Sequence, residues 1–401
     1  MSLAPPVTGL VLTGGGARAA YQVGVLQQIL ALRREASGGD GNPFGVICGT
    51  SAGAINACAL ACGADAIDAT GERLAEIWSG FSVEQVYRSK VIDMVRSGAR
   101  WVSLVSLGWL FAQRRMRPRS LLDNAPLAEL LEREVDFARL PALIAEGHLH
   151  GLAVTASSYG SGEHATFYQS GAAIEPWIRH QRLAMRCELG HAHLLASSAI
   201  PFVFPAVALH GPRGRAYFGD GSIRQTAPVS PAIHLGAQRL LVIGAGRTLE
   251  PHAQLPEEPT YPSLAQIAGH SLSSIFLDAL AADVERLGRI NRTLSLMTPE
   301  QRAATGLHEI EMLFIAPTQR LDAIAARHAQ SLPATVKSLL RILGADPGSE
   351  TSQGGALTSY LLFESDFTRE LLALGRADAL ARADEIRRFF GWPDRGRDGG
   401  C

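Results

Sequence analysis

The sequence predicts an α/β protein with three layers, α/β/α, around a mostly parallel central sheet, and a helical extension at the C-terminus. The first 62 residues carry strand, glycine-turn, helix, strand and helix patterns in turn, which favours a parallel sheet covered by helices. A second observation is the apolar run Leu-Leu-Val-Ile-Gly at 240–244, typical of a buried strand. Third, residues 333–390 show helical spacing with several breaks, as expected of a helical extension, and a strand pattern precedes them at 308–316.

Composition narrows the function classes and the compartment. The chain has 401 residues, 47% of them hydrophobic, enough for one large domain plus an extension or for two domains. A formal net charge of −1 argues against nucleic-acid binding, which needs a basic surface. Five cysteines without metal-like spacing suggest reduced thiols. We also find no secretory signal pattern and no apolar run of about 18 residues, so we expect a cytoplasmic or peripherally membrane-bound protein.

The first motif is a glycine turn after the strand pattern at 9–13. It comprises Gly14, Gly15, Gly16, Ala17 and Arg18, and a helix pattern follows at 19–34. A dinucleotide fingerprint would need a third glycine where Ala19 stands, and a phosphate-binding P-loop would need Gly-Lys-Ser/Thr. Two interpretations remain: an oxyanion hole made of glycine N–H groups, or tight packing of the helix on the sheet.

The second motif, Gly49-Thr50-Ser51-Ala52-Gly53, fits the G-x-S-x-G pattern of a nucleophile elbow. An apolar run at 44–48 precedes it and an alanine-rich run at 52–60 follows it, as a strand and a helix should. A chance match in a glycine-rich turn is the alternative. Ser51 is therefore the candidate nucleophile, at a helix N-terminus that favours negative charge on its oxygen. Both motifs follow strands, so we expect them at the same edge of the sheet.

An inserted segment at 86–123 is the most unusual part of the sequence. It contains an apolar, aromatic stretch, 101–111, that begins with Trp101, ends with Phe111 and is flanked by arginines. A buried cap or lid helix is the interpretation that we favour. The alternative is a peripheral membrane contact, with tryptophan and leucine at the acyl boundary and arginine among the head groups.

The middle of the chain supplies the candidate base. We predict paired strands at 149–157 and 164–169, a helix at 182–198, and a strand at 215–222 that ends in the turn Asp220-Gly221. The extended apolar segment 200–205 lines an acyl groove or serves as a plain core connection.

A serine hydroxyl needs a base to become a good nucleophile. One route is an imidazole, and His234, His252 and His270 are available, although no local pattern marks them. The other route is a carboxylate such as Asp220, partly desolvated to make it more basic. Residue spacing alone leaves both routes open.

Three motifs, in this order along the chain, resemble those of the patatin-like phospholipase family: Gly14 to Arg18, Gly49 to Gly53 and Asp220-Gly221. Supporting stretches lie at 196–205 and 360–363, and the resemblance covers roughly residues 7–245. It implies a patatin-like fold and a Ser–Asp dyad without histidine, with Ser51 as nucleophile and Asp220 as general base. It also implies that the glycine turn supplies oxyanion N–H groups, chiefly from Gly15 and Gly16, and that Arg18 braces the loop.

The resemblance predicts a lipid acyl hydrolase of phospholipase A or lysophospholipase type, acting on lipid or phospholipid without metal or cofactor. Residues 1–250 would form the catalytic domain, 251–391 a helical extension and 392–401 a disordered tail. Ala19 and Ser222 depart from the family pattern, without removing a reacting group. Two rivals remain: a Ser-His-Asp carboxylesterase of α/β-hydrolase type, and a non-catalytic lipid- or membrane-binding protein of the same fold.

Overall fold

The computed structural model describes residues 6–37, 41–88, 120–211, 214–246, 263–275, 279–342 and 352–393. Within these residues, ten strands form one sheet. The strands are β1 Thr8–Leu12, β2 Val46–Thr50, β3 Gly151–Ser158, β4 His164–Ser170, β5 Ile178–Arg179, β6 Arg182–Arg186, β7 Val207–Gly211, β8 Gly214–Asp220, β9 Arg239–Ile243 and β10 Glu311–Ile315.

The described residues also form fifteen α-helices. These are α1 Ala20–Ser37, α2 Ala52–Cys62, α3 Ile67–Ser79, α4 Ala125–Glu134, α5 Leu140–Ala145, α6 His191–Ser197, α7 Ser230–His234, α8 Leu264–Ser273, α9 Ala279–Ser295, α10 Pro299–Thr305, α11 Leu321–His328, α12 Ala334–Ile342, α13 Ser352–Leu361, α14 Ser365–Ala381 and α15 Ala383–Phe390. Short 3₁₀ turns join several of them, and the turn Gly16–Ala19 leads into α1.

The strand order puts both sequence motifs at one edge of the sheet. The order is β10-β9-β1-β2-β3-β4-β6-β5, and β8 pairs with β3 and with β7. Strands β10, β9, β1, β2 and β3 run parallel, so their carboxyl ends meet at the same edge. The glycine turn follows β1 and Ser51 follows β2, as the sequence predicts. Strand β8 runs antiparallel to β3 and overlaps only its last residues. Its final residue, Asp220, pairs with Ala156 and therefore lies near the same edge.

Side chains alternate across the sheet and create a core on each face. In β9, for example, Leu241 and Ile243 belong to one buried cluster, whereas Leu240 and Val242 belong to the other. Helices α1, α2 and α3 cover the first face, and α7 and α9 cover the second. The predicted three-layer α/β fold with a mostly parallel sheet is thus confirmed.

One detail differs from the sequence-based expectations and another agrees with them. Residues 182–198 were expected to form one helix, but this is wrong: 182–186 form β6, parallel to β4, and only His191–Ser197 are helical. The residues of β6 do not favour strand strongly, so pairing with β4 overrides local preference. The strand predicted at 308–316 is confirmed, because Glu311–Ile315 form β10, which pairs with β9.

The C-terminal helices pack closely on the first face. Helix α14 crosses α1 at two glycines, where the backbones approach each other. A Cβ atom on Gly24 would lie 2.1 Å from the backbone oxygen of Leu372, and one on Gly375 would lie 2.3 Å from that of Tyr21. Next to this crossing the Tyr21 hydroxyl donates to Asp378 at 3.0 Å. Only glycine permits such a close approach.

The tight crossing predicts opposite effects for two glycine-to-alanine substitutions in helices. Gly24→Ala should lower the free energy of unfolding by about 1–3 kcal/mol, because the new methyl group overlaps backbone atoms. The matched control is Gly288→Ala in α9, where a Cβ would meet nothing within 4 Å. There alanine should raise stability by about 0.5–1 kcal/mol through better helix propensity.

Urea denaturation followed by circular dichroism measures both changes. Equal effects of the two substitutions would contradict the close helix crossing.

Candidate active site

Ser51 occupies the sharp junction between β2 and α2. Its backbone has φ 56° and ψ −131°, a left-handed value of φ that is uncommon for a residue with a side chain. The residue is buried, with 1% of its surface exposed. Its backbone N–H donates to the hydroxyl of Ser197 at 2.8 Å, which ties the junction to α6. This geometry is that of a nucleophile elbow.

The two motif glycines are required by close backbone contacts around the elbow. A Cβ on Gly49 would lie 2.5 Å from the Cα of Ala54, and one on Gly53 would lie 2.4 Å from the backbone oxygens of Leu12 and Thr13. Distances below 3.0 Å cannot be accommodated without moving the backbone. The glycines therefore let α2 begin directly against β1 and β2.

The structure brings Asp220 to the serine, although 169 positions separate them in sequence. The Ser51 hydroxyl donates to Oδ2 of Asp220 at 2.6 Å, and the N–H of Ser222 donates to Oδ1 at 2.9 Å. Asp220 has no exposed surface, and burial raises the pKa of its carboxyl group to about 6. A Cβ on Gly221 would lie 2.4 Å from the backbone oxygen of Thr155, so this turn residue also needs to be glycine.

The glycine turn lies beside the elbow. Gly16 has φ 53° and begins the 3₁₀ turn Gly16–Ala19, whose first hydrogen bond runs from the N–H of Arg18 to the oxygen of Gly15 at 3.1 Å. The N–H groups of Gly16 and Ala17 precede that bond, and such groups have no partner within their own turn. Gly14 leads into the turn from β1.

Arg18 holds the turn against the C-terminal helices. Its Nε donates to the hydroxyl of Ser359 at 2.7 Å, and its guanidinium group lies 4.1 Å from the ring centroid of Tyr360. A Cβ on Gly16 would lie 2.3 Å from the backbone oxygen of Tyr360, and one on Gly15 would lie 2.4 Å from the Cβ of Ala245. The turn is thus packed from both sides.

An apolar cavity begins at the serine. Gly16, Ser51 and Ser198 lie in its wall, with Ile200 and Phe204 from the segment that sequence analysis offered as an acyl groove. The remaining wall is almost entirely aliphatic and aromatic and comes mainly from α2, α3 and α4: Ala52, Ile55, Ala59, Leu74, Ile77, Trp78, Phe81, Val86, Leu127, Leu130, Leu131, Glu134, Val135 and Phe363. A nucleophile at one wall of an apolar cavity suits an acyl chain.

Comparison of the sequence with models of known protein families identifies the family of this chain. The sequence model of one family, described as patatin-like phospholipase, matches residues 10–233, more than half of the chain. The chain belongs to the patatin-like phospholipase family. This membership supports a lipid acyl hydrolase. No curated protein matches it at the sequence level.

The chain is also similar to several solved structures. VipD from Legionella pneumophila shares 15% identity, with 92% of this chain and 67% of that chain covered and a TM-score of 0.35. Human GIVD cytosolic phospholipase A2 with methyl gamma-linolenyl fluorophosphonate and terbium chloride shares 14% identity, with 96% and 59% covered and a TM-score of 0.43. ExoU of Pseudomonas aeruginosa, in complex with SpcU, shares 16% identity, with 99% and 80% covered and a TM-score of 0.28. The chain spans about 60% of the length of the human enzyme.

The histidines proposed for a triad lie elsewhere or outside the described residues. His234 stacks on Trp177 at 4.4 Å between ring centroids and contacts the backbone oxygen of Ser230 at 2.8 Å. His270 lies exposed on α8, and His252 falls outside the described ranges. In the part of the chain described, no hydrogen bond joins a histidine to Ser51 or Asp220.

Sequence reasoning missed His164, a buried residue on β4. It contacts the backbone of Gly221, and burial lowers the pKa of its imidazole to about 4, so it is neutral at physiological pH. The supporting role of Ser197 was also missed, because only the folded chain shows that its hydroxyl accepts the N–H of Ser51.

The two departures from the family pattern are accommodated. The backbone N–H of Ser222, which any non-proline residue supplies, makes the hydrogen bond to Asp220. Ala19 is fully buried, and its backbone oxygen accepts from the side-chain amide of Asn56 at 3.2 Å.

Some expectations fall outside the described residues or concern bound groups. The stretch 101–111 and most of the inserted segment 86–123 lie outside them. No helix within the described ranges is long and apolar enough to cross a bilayer. Within the same ranges, no three or more acidic, histidine or cysteine side chains cluster as metal ligands would.

Burial of Asp220 predicts that Asp220→Asn stabilises the fold at neutral pH. The carboxyl pKa is about 6 in the fold against an ordinary value of 3.8, so ionisation costs stability as the pH rises from 3.8 through 6. Above that window, the variant should gain up to about 3 kcal/mol of unfolding free energy, at 1.36 kcal/mol per pKa unit.

Below pH 3.8 the gain should vanish, because the carboxyl group is neutral in both states. Denaturation at pH 4 and pH 8 measures the difference, with Asp384→Asn on the exposed face of α15 as control. A gain of equal size at both pH values contradicts the buried-carboxylate explanation.

Proposed function

We propose that this protein hydrolyses fatty acyl esters of lipids or phospholipids through a Ser–Asp dyad and an acyl-enzyme, in the manner of a phospholipase A or lysophospholipase. The 2.6 Å hydrogen bond from the Ser51 hydroxyl to Asp220 carries the proposal, since a nucleophile and a base must be in such contact. Membership in the patatin-like phospholipase family supports the lipid substrate. The apolar cavity beside Ser51 supports an acyl chain as the bound group.

In the first half-reaction, Ser51 Oγ attacks the ester carbonyl carbon while its proton passes to Oδ2 of Asp220. N–H groups of the glycine turn stabilise the oxyanion. Those of Gly16 and Ala17 are the best supported, because neither has a partner within its own turn, whereas the N–H of Arg18 donates to the oxygen of Gly15. When the tetrahedral intermediate collapses, the C–O bond to the alcohol breaks. Asp220 returns the proton to the departing alkoxide, and the acyl group stays on Ser51.

In the second half-reaction, water replaces the alcohol. Asp220 accepts a proton from water as the water oxygen attacks the acyl carbonyl carbon. The second tetrahedral intermediate then releases the fatty acid, and the proton returns to Ser51 Oγ. Protons and bonds balance with one water consumed for each ester cleaved, and no redox partner is needed.

The environment of Asp220 explains how a carboxylate can serve as the base. Burial raises the pKa of its carboxyl group to about 6, close to neutral pH, where a general base works best. The backbone N–H of Ser222 orients the carboxylate from the side opposite Ser51. The N-terminus of α2 favours negative charge on Ser51 Oγ as its proton leaves.

The proposal predicts that hydrolysis depends on Ser51 and Asp220 and not on a histidine. Ser51→Ala and Asp220→Asn should each lower kcat/KM on a p-nitrophenyl ester at least about a thousandfold, as is usual when a nucleophile or its base is removed. His234→Ala and His164→Gln should leave it within about tenfold, since neither residue contacts the dyad.

A fluorophosphonate probe provides the second measurement, by mass spectrometry of the labelled peptide. It should label Ser51, and Ser51→Ala should abolish labelling while the circular dichroism spectrum stays unchanged. A large loss confined to a histidine variant would support the Ser-His-Asp carboxylesterase. No hydrolysis and no labelling of the folded wild-type protein would support the non-catalytic lipid-binding protein.

Asp220 also predicts the shape of the pH profile. The base must be ionised, and its pKa is about 6, so kcat/KM should fall about tenfold per pH unit below 6 and level off above 7. Initial rates between pH 4.5 and 8.5 on an uncharged ester measure this, with circular dichroism at each pH to confirm folding. A profile that is flat down to pH 4.5 would contradict Asp220 as the base.

A further inference from the structure

The apolar cavity leads away from Ser51 along one face of α2. Ala52, Ile55 and Ala59 line it, at the spacing of one helix face. Ser51 precedes the helix, and Ala59 lies eight residues further on, so the cavity extends about 12 Å from the nucleophile at 1.5 Å per residue.

Helix α3 runs back alongside α2 in the opposite direction. The hydroxyl of Thr70 donates to the oxygen of Gly63 at 3.0 Å, just past the end of α2, and Nε1 of Trp78 donates to Asn56 at 2.8 Å, midway along it. Arg73 lies between Thr70 and Trp78 in sequence, so it lies level with the last turns of α2. This is the end of the cavity farthest from Ser51.

Helix α4 places Glu134 at the same end. Just after α4, Nη1 of Arg139 donates to the oxygen of Cys62, the last residue of α2, at 3.0 Å. The C-terminal end of α4 therefore lies beside the C-terminal end of α2. Glu134 is the last residue of α4 and lies in the cavity wall.

An ion pair joins α3 and α4 at the end of the cavity farthest from Ser51. Nη2 of Arg73 contacts Oε2 of Glu134 at 3.0 Å, and Nε of Arg133 contacts Oε1 at 2.9 Å. Partial burial raises the pKa of Glu134, but hydrogen bonds from Arg133 and Arg73 outweigh it and hold the pKa below its usual value. Glu134 is therefore a carboxylate, in a wall that is otherwise almost wholly apolar.

We propose that the Arg73–Glu134 ion pair closes the far end of the acyl cavity and limits the length of the acyl chain that the enzyme accepts. The inference rests on the proposed function. Each methylene that enters the apolar part should raise kcat/KM about fourfold, from about 0.8 kcal/mol of burial. A chain that reaches Glu134 gains nothing further, because it would have to desolvate a paired carboxylate.

The test is the chain-length profile of the full-length enzyme on p-nitrophenyl esters from butyrate to palmitate. In the wild-type enzyme kcat/KM should rise with chain length and then level off. Glu134→Ala should move the levelling point to longer chains and raise the palmitate-to-butyrate ratio at least about tenfold, an effect of a few methylenes. Glu134→Gln removes the charge but keeps the size, and should shift the ratio in the same direction by less.

A matched control separates this effect from the general loss of an ion pair. Glu35 pairs with Arg387 at 3.2 Å and lies outside the cavity wall, so Glu35→Ala should leave the profile unchanged. The Arg73 and Arg133 side chains are 59% and 63% exposed, so both stay solvated when Glu134 is removed, and the Glu134 variants should fold. The Glu35 variant should fold because its carboxylate is exposed, and exposed ion pairs contribute only about 0–1 kcal/mol to stability.

A binding measurement decides the inference independently of catalysis. Ser51→Ala and the double variant Ser51→Ala/Glu134→Ala are titrated with fatty acids of increasing length by calorimetry. The inference is supported if the double variant binds longer fatty acids than Ser51→Ala does. If Glu134→Ala changes neither the binding profile nor the hydrolysis profile, the inference is overturned, even where the esters are cleaved. Failure to cleave any ester from butyrate to palmitate overturns the proposed function instead.

Discussion

The site depends on a carboxylate that is buried at a cost to stability. Asp220 has no exposed surface, and burial raises its carboxyl pKa because the charged form loses its hydration. Two hydrogen bonds, from the Ser51 hydroxyl and the Ser222 N–H, offset part of that cost. The same desolvation that weakens the fold makes the carboxylate a stronger base, so stability and reactivity are coupled at one side chain.

Sheet topology brings the glycine turn, Ser51 and Asp220 together. The glycine turn and Ser51 lie at the carboxyl ends of adjacent parallel strands, β1 and β2. Asp220 ends β8, which pairs antiparallel with β3, and β3 in turn pairs with β2. A shift in the register of β8 on β3 would therefore move the carboxylate away from the hydroxyl by a full residue spacing.

Much of this arrangement could be predicted from local sequence, and the rest could not for physical reasons. The elbow around Ser51 and the glycine turn are local patterns, because their glycines are required by close contacts with neighbouring backbone. The helix predicted at 182–198 was wrong, because strand pairing with β4 overrode local preference. Neither the cavity nor the ion pair between Arg73 and Glu134 is visible in the sequence, since both arise from packing between helices.

The C-terminal helices belong to the support of the site and not only to its periphery. Arg18, within the glycine turn, hydrogen-bonds Ser359 and stacks on Tyr360, while the backbone oxygen of Tyr360 leaves room only for a glycine at position 16. The turn is thus shaped by residues more than 300 positions away, and β10 extends the central sheet from the same part of the chain. The boundary predicted at residue 250 is therefore not a boundary between independent parts of the folded molecule, because residues 1–250 alone would lack the contacts that Ser359 and Tyr360 make with the glycine turn.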